Sequence, residues 1–160
     1  MTAQSIATFF AEDHDRLDKL FQEYQTRKNT NFPLAKNSFR EFLIGLRRHI
    51  DWEEQVLFPV FEKKTGFSGQ GPTAVMRYEH VEIKQALEAL HNYVRDGDPN
   101  ADALEEALLA ILKGHNRKEE DILYPAIDNL TDESERQNMF AEIHRITASG
   151  APSCCGLSAE

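Results

Sequence analysis

One pattern occurs twice in this chain of 160 residues, and its two copies begin at His49 and at His115. Both copies read H-x-x-x-E-E-x-[VI]-L-[FY]-P, so Glu53 and Glu119 each follow the histidine of their own copy by four residues. Residues four positions apart lie one turn apart on the same face of an α-helix. An imidazole and a carboxylate that point the same way can bind one metal ion, so each copy predicts half of a metal site.

Two further histidines repeat with the same spacing. The copies are 66 residues apart (115 − 49 = 66), and so are His14 and His80, each of which lies 35 residues before the histidine of its copy. An acidic residue, Asp13 or Glu79, precedes each of them. Four histidines, two glutamates and two prolines therefore recur in one register. This is much stronger evidence for a metal site than a single His-x-x-x-Glu pair would be.

Length, composition and charge exclude several classes of protein. A chain of 160 residues with 41% apolar residues predicts one domain with a substantial core. The net charge of −9 predicts no nucleic-acid partner, because an acidic surface repels phosphate, and it also disfavours anionic membranes. No run of about 18 apolar residues predicts a membrane span.

The ends of the chain bear on its location. The N-terminal residues lack the basic region and the apolar core of a secretory signal. The only two cysteines, Cys154 and Cys155, are adjacent and do not form a disulfide framework. These features predict a cytoplasmic protein, either a monomer or a homodimer.

Apolar residues at spacings of three and four predict long amphipathic helices. The expected helices cover about residues 5–28, 34–58, 72–96, 101–124 and 132–147. Pro59 is expected to kink or end the second helix, and Pro125 to disturb the fourth. Short connections favour antiparallel neighbours. The predicted fold is all-α: an up-down-up-down four-helix bundle with a short C-terminal fifth helix over residues 1–147, followed by a flexible tail over residues 148–160.

The repeat also extends to the expected core, so each half is predicted to be one helical hairpin related to the other by a pseudo-twofold axis. Core positions pair under the 66-residue shift as Phe42 with Leu108, Leu46 with Leu112, Val56 with Ile122, and Phe61 with Ile127. The apolar positions predicted to face inward on the third helix include Val75, Met76, Val81 and Ile83.

Antiparallel packing brings the four histidines to one level of the bundle, because each lies at a similar depth in its helix. We expect His14 and His49 to bind one metal ion and His80 and His115 to bind the other. Glu53 and Glu119 are expected to bridge the two ions, since burying two carboxylates without a cation would cost several kcal/mol for each charge. No separate catalytic or cofactor-binding residue is predicted.

Six ligands of this type suit two iron ions best, with manganese or zinc as alternatives. They leave open positions on each ion, as O2, peroxide or NO require. Glu54 and Glu120 point about 100° away from the ligand glutamates, either as acceptors for imidazole N–H groups or into solvent. His91 and His144 have no repeat partner and are interpreted as ordinary core or boundary residues.

These motifs resemble those of the hemerythrin-like (HHE cation-binding) domains. The resemblance covers about residues 5–130 and rests on Glu79-His80, on the two H-x-x-x-E-E segments with their prolines, and on His14. It implies a four-helix bundle that holds a non-haem di-iron centre with an oxo or hydroxo bridge. Depending on the member, such domains carry O2, sense oxygen or iron, handle NO or peroxide, or help to repair iron centres.

The chain departs from the oxygen-carrying members in two respects. These have a fifth histidine where this chain has Lys84, which cannot ligate while charged, and their second bridging carboxylate is an aspartate at a longer spacing than Glu119. The site therefore looks symmetric, which argues against simple reversible O2 carriage. We hypothesise that Lys84 and its repeat partner Asp18 face the site and pair, or that Asp18 or a nearby tyrosine fills a coordination position. The alternative is two solvated surface charges.

The tail has an uncertain match to the same family. Repair relatives carry a Cys-Cys-Gly motif in an N-terminal extension, whereas here Cys154-Cys155-Gly156 lies near the C-terminus. The two thiols either bind soft metals or exchange disulfides, or they are incidental.

Three functional hypotheses follow. The first is a di-iron protein that binds or reacts with O2, peroxide or NO, with a redox partner that the sequence does not identify. The second is a non-catalytic iron or oxygen sensor or an iron-donor module for repair, whose bundle changes stability with its metal state. The third is a helical interaction domain with a vestigial site.

Overall fold

The computed structural model describes residues 4–150, all of whose regular elements are helices. The helices are α1 (Ile6–Arg27), α2 (Phe32–Trp52), α3 (Phe58–Thr65), α4 (Pro72–Arg95), α5 (Asp102–Lys118), α6 (Tyr124–Leu130) and α7 (Glu133–Ala148). Two π-helical turns, Glu53–Leu57 and Glu119–Leu123, join α2 to α3 and α5 to α6. Helices α1 and α4 begin 66 residues apart, as do the two π-turns, so the repeat seen in the sequence is also a repeat of structure.

Local sequence explains where the helices begin and end. The Ser5 hydroxyl accepts a hydrogen bond from the Thr8 N–H and caps α1, as expected. Prolines occupy the first turn of α2 and of α4, where no intrahelical partner for an N–H exists. Helix α3 ends at Gly66, whose φ of 78° is the left-handed conformation that favours glycine. At α7, Asp132 and Glu135 form a reciprocal capping box.

The two π-turns precede the two repeated prolines. A proline in a helix clashes with the carbonyl four residues earlier and donates no hydrogen bond. In each π-turn the helix widens, and the N–H just before the proline reaches back five residues: Phe58 donates to the Glu53 carbonyl, and Tyr124 donates to the Glu119 carbonyl. The expected kink at Pro59 is therefore a widened turn between α2 and α3, whose helical path continues.

The predicted bundle is confirmed. Helix α1 packs on α2, α4 packs on α5, and α2 packs on α4, so two helical hairpins lie side by side. Helix α7 packs against α2 and the first π-turn, where the Trp52 indole N–H donates to the Thr147 hydroxyl. No helix within residues 4–150 has the length and apolar character needed to cross a membrane. The tail with Cys154 and Cys155 lies outside the described residues.

The core consists of two apolar clusters with a polar layer between them. Along α1, Phe10 belongs to one cluster and Leu17 to the other, and His14 lies between them. Along α2, Leu46 and Trp52 flank His49 in the same way. The predicted histidine level is therefore enclosed by apolar side chains from both ends of the bundle.

Three residues predicted to face the core do not. Val75 and Val81 of α4 and Ile122 of the second π-turn are 48%, 52% and 62% exposed. The apolar stripe of α4 is narrower than expected, because only the side of α4 that carries Met76 and Ile83 packs against the bundle. Ile122 differs from its repeat partner Val56, which is buried in the same cluster as Met139 and Ile143 of α7. The added helix covers the first π-turn, so Val56 is shielded.

Candidate metal centre

The four repeated histidines come together in the polar layer, one from each long helix. His14 of α1, His49 of α2, His80 of α4 and His115 of α5 are all nearly or fully buried. Their rings form two pairs: His14 and His49 have centroids 4.6 Å apart, and His80 and His115 have centroids 4.9 Å apart. These are the two pairs expected from the sequence.

Glu53 and Glu119 lie between the two histidine pairs, each as the first residue of a π-turn and each with no exposed surface. One oxygen of Glu53 is 3.5 Å from the His49 Nε2 atom, and the other is 3.1 Å from the His80 Nε2 atom. Glu119 places one oxygen 3.4 Å from the His14 Nε2 atom and the other 2.9 Å from the His115 Nε2 atom. Each carboxylate therefore faces both pairs, which is the arrangement that a bridging ligand needs.

Four more carboxylates, the outer carboxylates, hold the far sides of the imidazole rings. A carboxylate can only accept, so each histidine Nδ1–H donates and each Nε2 lone pair is directed inward. The pairs and their Nδ1–oxygen distances are His14 with Glu120 at 2.6 Å, His49 with Asp13 at 2.8 Å, His80 with Glu54 at 2.8 Å, and His115 with Glu79 at 2.9 Å.

The outer carboxylates obey the same 66-residue repeat. Glu54 and Glu120 are therefore acceptors for imidazole N–H groups, the first of the two alternatives left open by the sequence. The roles of Asp13 and Glu79 were missed. The signal was present as the acid that precedes His14 and His80, but each of these acids serves a histidine on the neighbouring helix instead.

Tyr124 is the other polar group inside the site. Its buried hydroxyl is 2.5 Å from a Glu53 oxygen and 2.9 Å from a Glu119 oxygen, and it donates to these carboxylates. It also lies 3.3 Å from the His49 Nε2 atom and 3.4 Å from the His14 Nε2 atom. The motif position accepts phenylalanine or tyrosine, so the sequence pattern did not single this residue out.

Charges inside the site shift its pKa values strongly. Burial lowers the pKa of His49, but the Glu53 charge and the Asp13 hydrogen bond outweigh burial and raise it to about 10. Burial likewise opposes ionisation of His80, yet Glu53 and Glu54 raise its pKa to about 9. The pKa of Glu53 is held well below its usual range, because His49 and His80 outweigh the effect of burial. Without a cation, the carboxylates thus bind protons through the histidines.

The donor set fits a bound cation. Glu53 Oε2, Glu119 Oε1 and His80 Nε2 are fully buried and make no hydrogen bond to any residue of the described range 4–150. Such unsatisfied buried atoms are rare, and a metal ion would satisfy all three. Within that range, two groups of ligand atoms lie close enough to hold an ion: Glu53, His80, His115 and Glu119 in one, and His14, His49 and Glu119 in the other.

The hypothesis that Lys84 and Asp18 pair is wrong. The Lys84 ammonium lies 3.7 Å from Glu54, and no ion pair between Lys84 and Asp18 occurs within residues 4–150. Burial raises the pKa of Asp18, and the carboxylates of Asp15 and Glu120 raise it further. Lys84 and Asp18 therefore occupy equivalent positions, each beside the outer carboxylate of its own half, but with opposite charge.

The remaining two histidines lie away from the site. The His91 ring stacks on Phe39 at 6.2 Å between centroids and lies 3.6 Å from Glu88. His144 is exposed on α7. Both positions agree with the interpretation of these histidines as ordinary core or boundary residues.

A small cavity adjoins the site. Its volume is about 10 Å³, room for roughly one water-sized molecule, and its lining includes His14, His49, His115 and Glu53. A surface groove of about 530 Å³ between α1 and α5 shares Asp18 and Asn116 with the lining of this cavity. The groove is thus the side from which a small molecule has the shortest route to the site.

The fold and the site together define a helical-bundle protein with a buried, twofold-repeated histidine and carboxylate centre of the kind that binds metal. Residues 5–127 match the family described as Hemerythrin HHE cation binding domain, and the chain belongs to this family. Domains of this family bind non-haem iron, and the buried cluster is the candidate site for it in this chain.

Three relatives match the chain. An uncharacterized hemerythrin-like protein of Schizosaccharomyces pombe is 30% identical over 91% of this chain and 69% of its own length. A DNA nickase of Nostoc is 31% identical over 78% of this chain but only 34% of its own length. The iron-sulfur cluster repair protein YtfE of Musicola paradisiaca is 36% identical over 38% of this chain and 28% of its own length. No solved structure gave a significant match.

Proposed function

We propose that this chain binds two iron ions and that the loaded site binds or reacts with O2, peroxide or NO. The proposed ligands are His14, His49, Glu53, His80, His115 and Glu119. The observation that carries the proposal is that each of the two buried carboxylates faces both histidine pairs. A site for a single ion would need only one pair and one carboxylate.

The surrounding residues prepare the site for this role. The outer carboxylates fix each imidazole ring with its Nε2 atom directed inward, which also makes the ring a stronger donor. The two apolar clusters exclude bulk water, and the small cavity admits a ligand of about the size of water. Iron, when bound, supplies open coordination positions and a change of oxidation state.

The first test is the metal content per chain after anaerobic iron loading, measured by elemental mass spectrometry. We expect two irons in the unmodified protein and loss of both in the His49→Ala/His115→Ala variant, which removes one imidazole from each pair. The matched control is His91→Ala/His144→Ala, which removes two imidazoles outside the site and should retain two irons. Zero or one iron in the unmodified protein, unchanged by the site variant, would contradict the proposal.

Turnover separates the functional hypotheses once two irons are established. A reactive centre should consume peroxide or NO at a rate proportional to the iron content, and the site variant should abolish this rate. Metal-dependent changes in melting temperature without any turnover would favour a sensor instead. Failure of the unmodified chain to bind iron would favour the vestigial site.

A second candidate, an iron-donor module for repair of iron centres, is supported by the printed role of the YtfE relative. Transfer of iron from the loaded protein to an apo iron–sulfur protein, with no transfer from the His49→Ala/His115→Ala variant, would support it. Equal recovery with an equivalent amount of free iron would argue against it. The cytoplasmic location and the absence of a nucleic-acid partner stay predictions.

A further inference from the structure

We propose that the phenolic oxygen of Tyr124 is a seventh protein ligand, which binds the metal ion held by His14 and His49 and makes the two ions of the site unequal. This inference rests on the proposed two-iron function and adds a residue to it. The observation behind it is the number of donor atoms around the hydroxyl: it contacts one oxygen from each bridging carboxylate and the Nε2 atoms of both histidines of one pair.

The distances are those of neighbouring ligands. Around a six-coordinate ion with bonds of about 2.1 Å, adjacent donor atoms are about 3.0 Å apart. The Tyr124 oxygen lies 2.5, 2.9, 3.3 and 3.4 Å from its four neighbours, which brackets that separation. A tyrosine that only filled space in the core would need one acceptor for its O–H, whereas this one meets four prospective ligand atoms at once.

The repeat supplies an internal comparison. Position 124 corresponds to Phe58, which is equally buried and stacks on His80 with ring centroids 5.5 Å apart. The Tyr124 ring lies 5.9 Å from His14, so the two aromatic rings occupy equivalent places. Only one of them carries an oxygen. The structure thus keeps the same aromatic packing on both sides and adds a donor to one side alone.

The consequence is an asymmetric centre. The ion on the His14 side would have five protein ligands and the ion on the His80 side would have four, so the second ion keeps more positions for an external ligand. When Fe(III) binds, the phenolic O–H bond breaks, an oxygen–iron bond forms, and the proton leaves to solvent. No change of oxidation state is needed.

The test is visible absorption and resonance Raman spectroscopy of the Fe(III)-loaded protein, with iron counted in each sample. An Fe(III)–phenolate bond gives a visible charge-transfer band whose Raman modes shift when the protein carries ring-deuterated tyrosine. We expect these modes in the unmodified protein and their complete loss in Tyr124→Phe. Tyr78→Phe, which removes a hydroxyl from the exposed face of α4, should retain them. The fold should tolerate Tyr124→Phe, because phenylalanine already fills the equivalent position.

A second variant keeps the test decisive. In Phe58→Tyr/Tyr124→Phe the hydroxyl moves to the other side of the repeat, and the tyrosine modes should return. Two irons in the unmodified protein without tyrosine modes, or modes that survive in Tyr124→Phe, would overturn the tyrosine ligand alone. Absence of iron from the unmodified protein would overturn the two-iron function and this inference with it.

Discussion

The two halves of the bundle, residues 6–65 and residues 72–130, share their ligands but differ around them. The four histidines, both bridging carboxylates and all four outer carboxylates repeat at 66 residues, and the two π-turns repeat with them. The differences lie at the edge of the site. The contrasting pairs are Phe58 with Tyr124, Lys84 with Asp18, and Val56 with Ile122. Groups that hold the ligands are thus duplicated, whereas groups that set access, charge and packing are specific to one half.

The largest predicted effect tests whether the halves act as one site. Each of Glu53→Gln and Glu119→Gln should reduce iron to less than one ion per chain, because each carboxylate faces both histidine pairs. His14→Ala, which alters one pair only, should retain more iron than either. Elemental mass spectrometry on dialysed protein gives the measurement.

The control for these variants is Glu106→Gln on the exposed face of α5, which should leave the iron content unchanged. If one bridging variant lost iron and the other kept it, the two halves would be independent sites. The repeat would then be one of structure without shared chemistry.

The next effect concerns the outer carboxylates, which should matter equally in the two halves. Glu54→Gln and Glu120→Gln should each weaken iron affinity by about 10- to 100-fold, because the amide no longer fixes the Nδ1–H of His80 or His14. Competition with a chelator measures the affinity. Glu82→Gln on the exposed face of α4 is the matched control. An unchanged affinity in either variant would show that packing alone orients that ring.

A smaller effect separates the halves by packing. Val56→Ala should lower the free energy of unfolding by about 1–2 kcal/mol, because Val56 is buried in the cluster that α7 completes. Ile122→Ala should change it by less than about 0.5 kcal/mol, since that side chain is exposed. Urea unfolding of the metal-free protein measures both. Equal losses would mean that the second π-turn is also covered.

The sequence predicted the bundle and brought the six proposed ligands to one level, because ligand spacing on a helix is fixed by local geometry and the repeat supplied it twice. It could not predict the width of the buried face. Apolar spacing identifies the direction of a helix face, but packing by neighbours decides that Val81 is exposed while Ile83 is buried.

Two further misses have the same origin. A proline predicts an interruption, but whether the helix ends, kinks or widens depends on the tertiary contacts that hold Glu53 in place. Tyr124 was missed because phenylalanine and tyrosine pack alike, so only the positions of neighbouring oxygens show that the hydroxyl matters. Contacts between distant segments, such as Lys84 with Glu54, carry no signal in one sequence.

The smallest predicted effect exchanges a charge between the halves. Asp18 lies beside Glu120 where Lys84 lies beside Glu54, so one half has repulsion where the other has an ion pair. Asp18→Lys should therefore stabilise the metal-free protein by about 0.2–1 kcal/mol, the range of a partly exposed pair, and Lys84→Asp should destabilise it by a similar amount. Urea unfolding at low and high salt measures both, and the differences should shrink with salt. Changes of the same sign in both variants would mean that positions 18 and 84 are not equivalent, and that the repeat ends at the outer carboxylates.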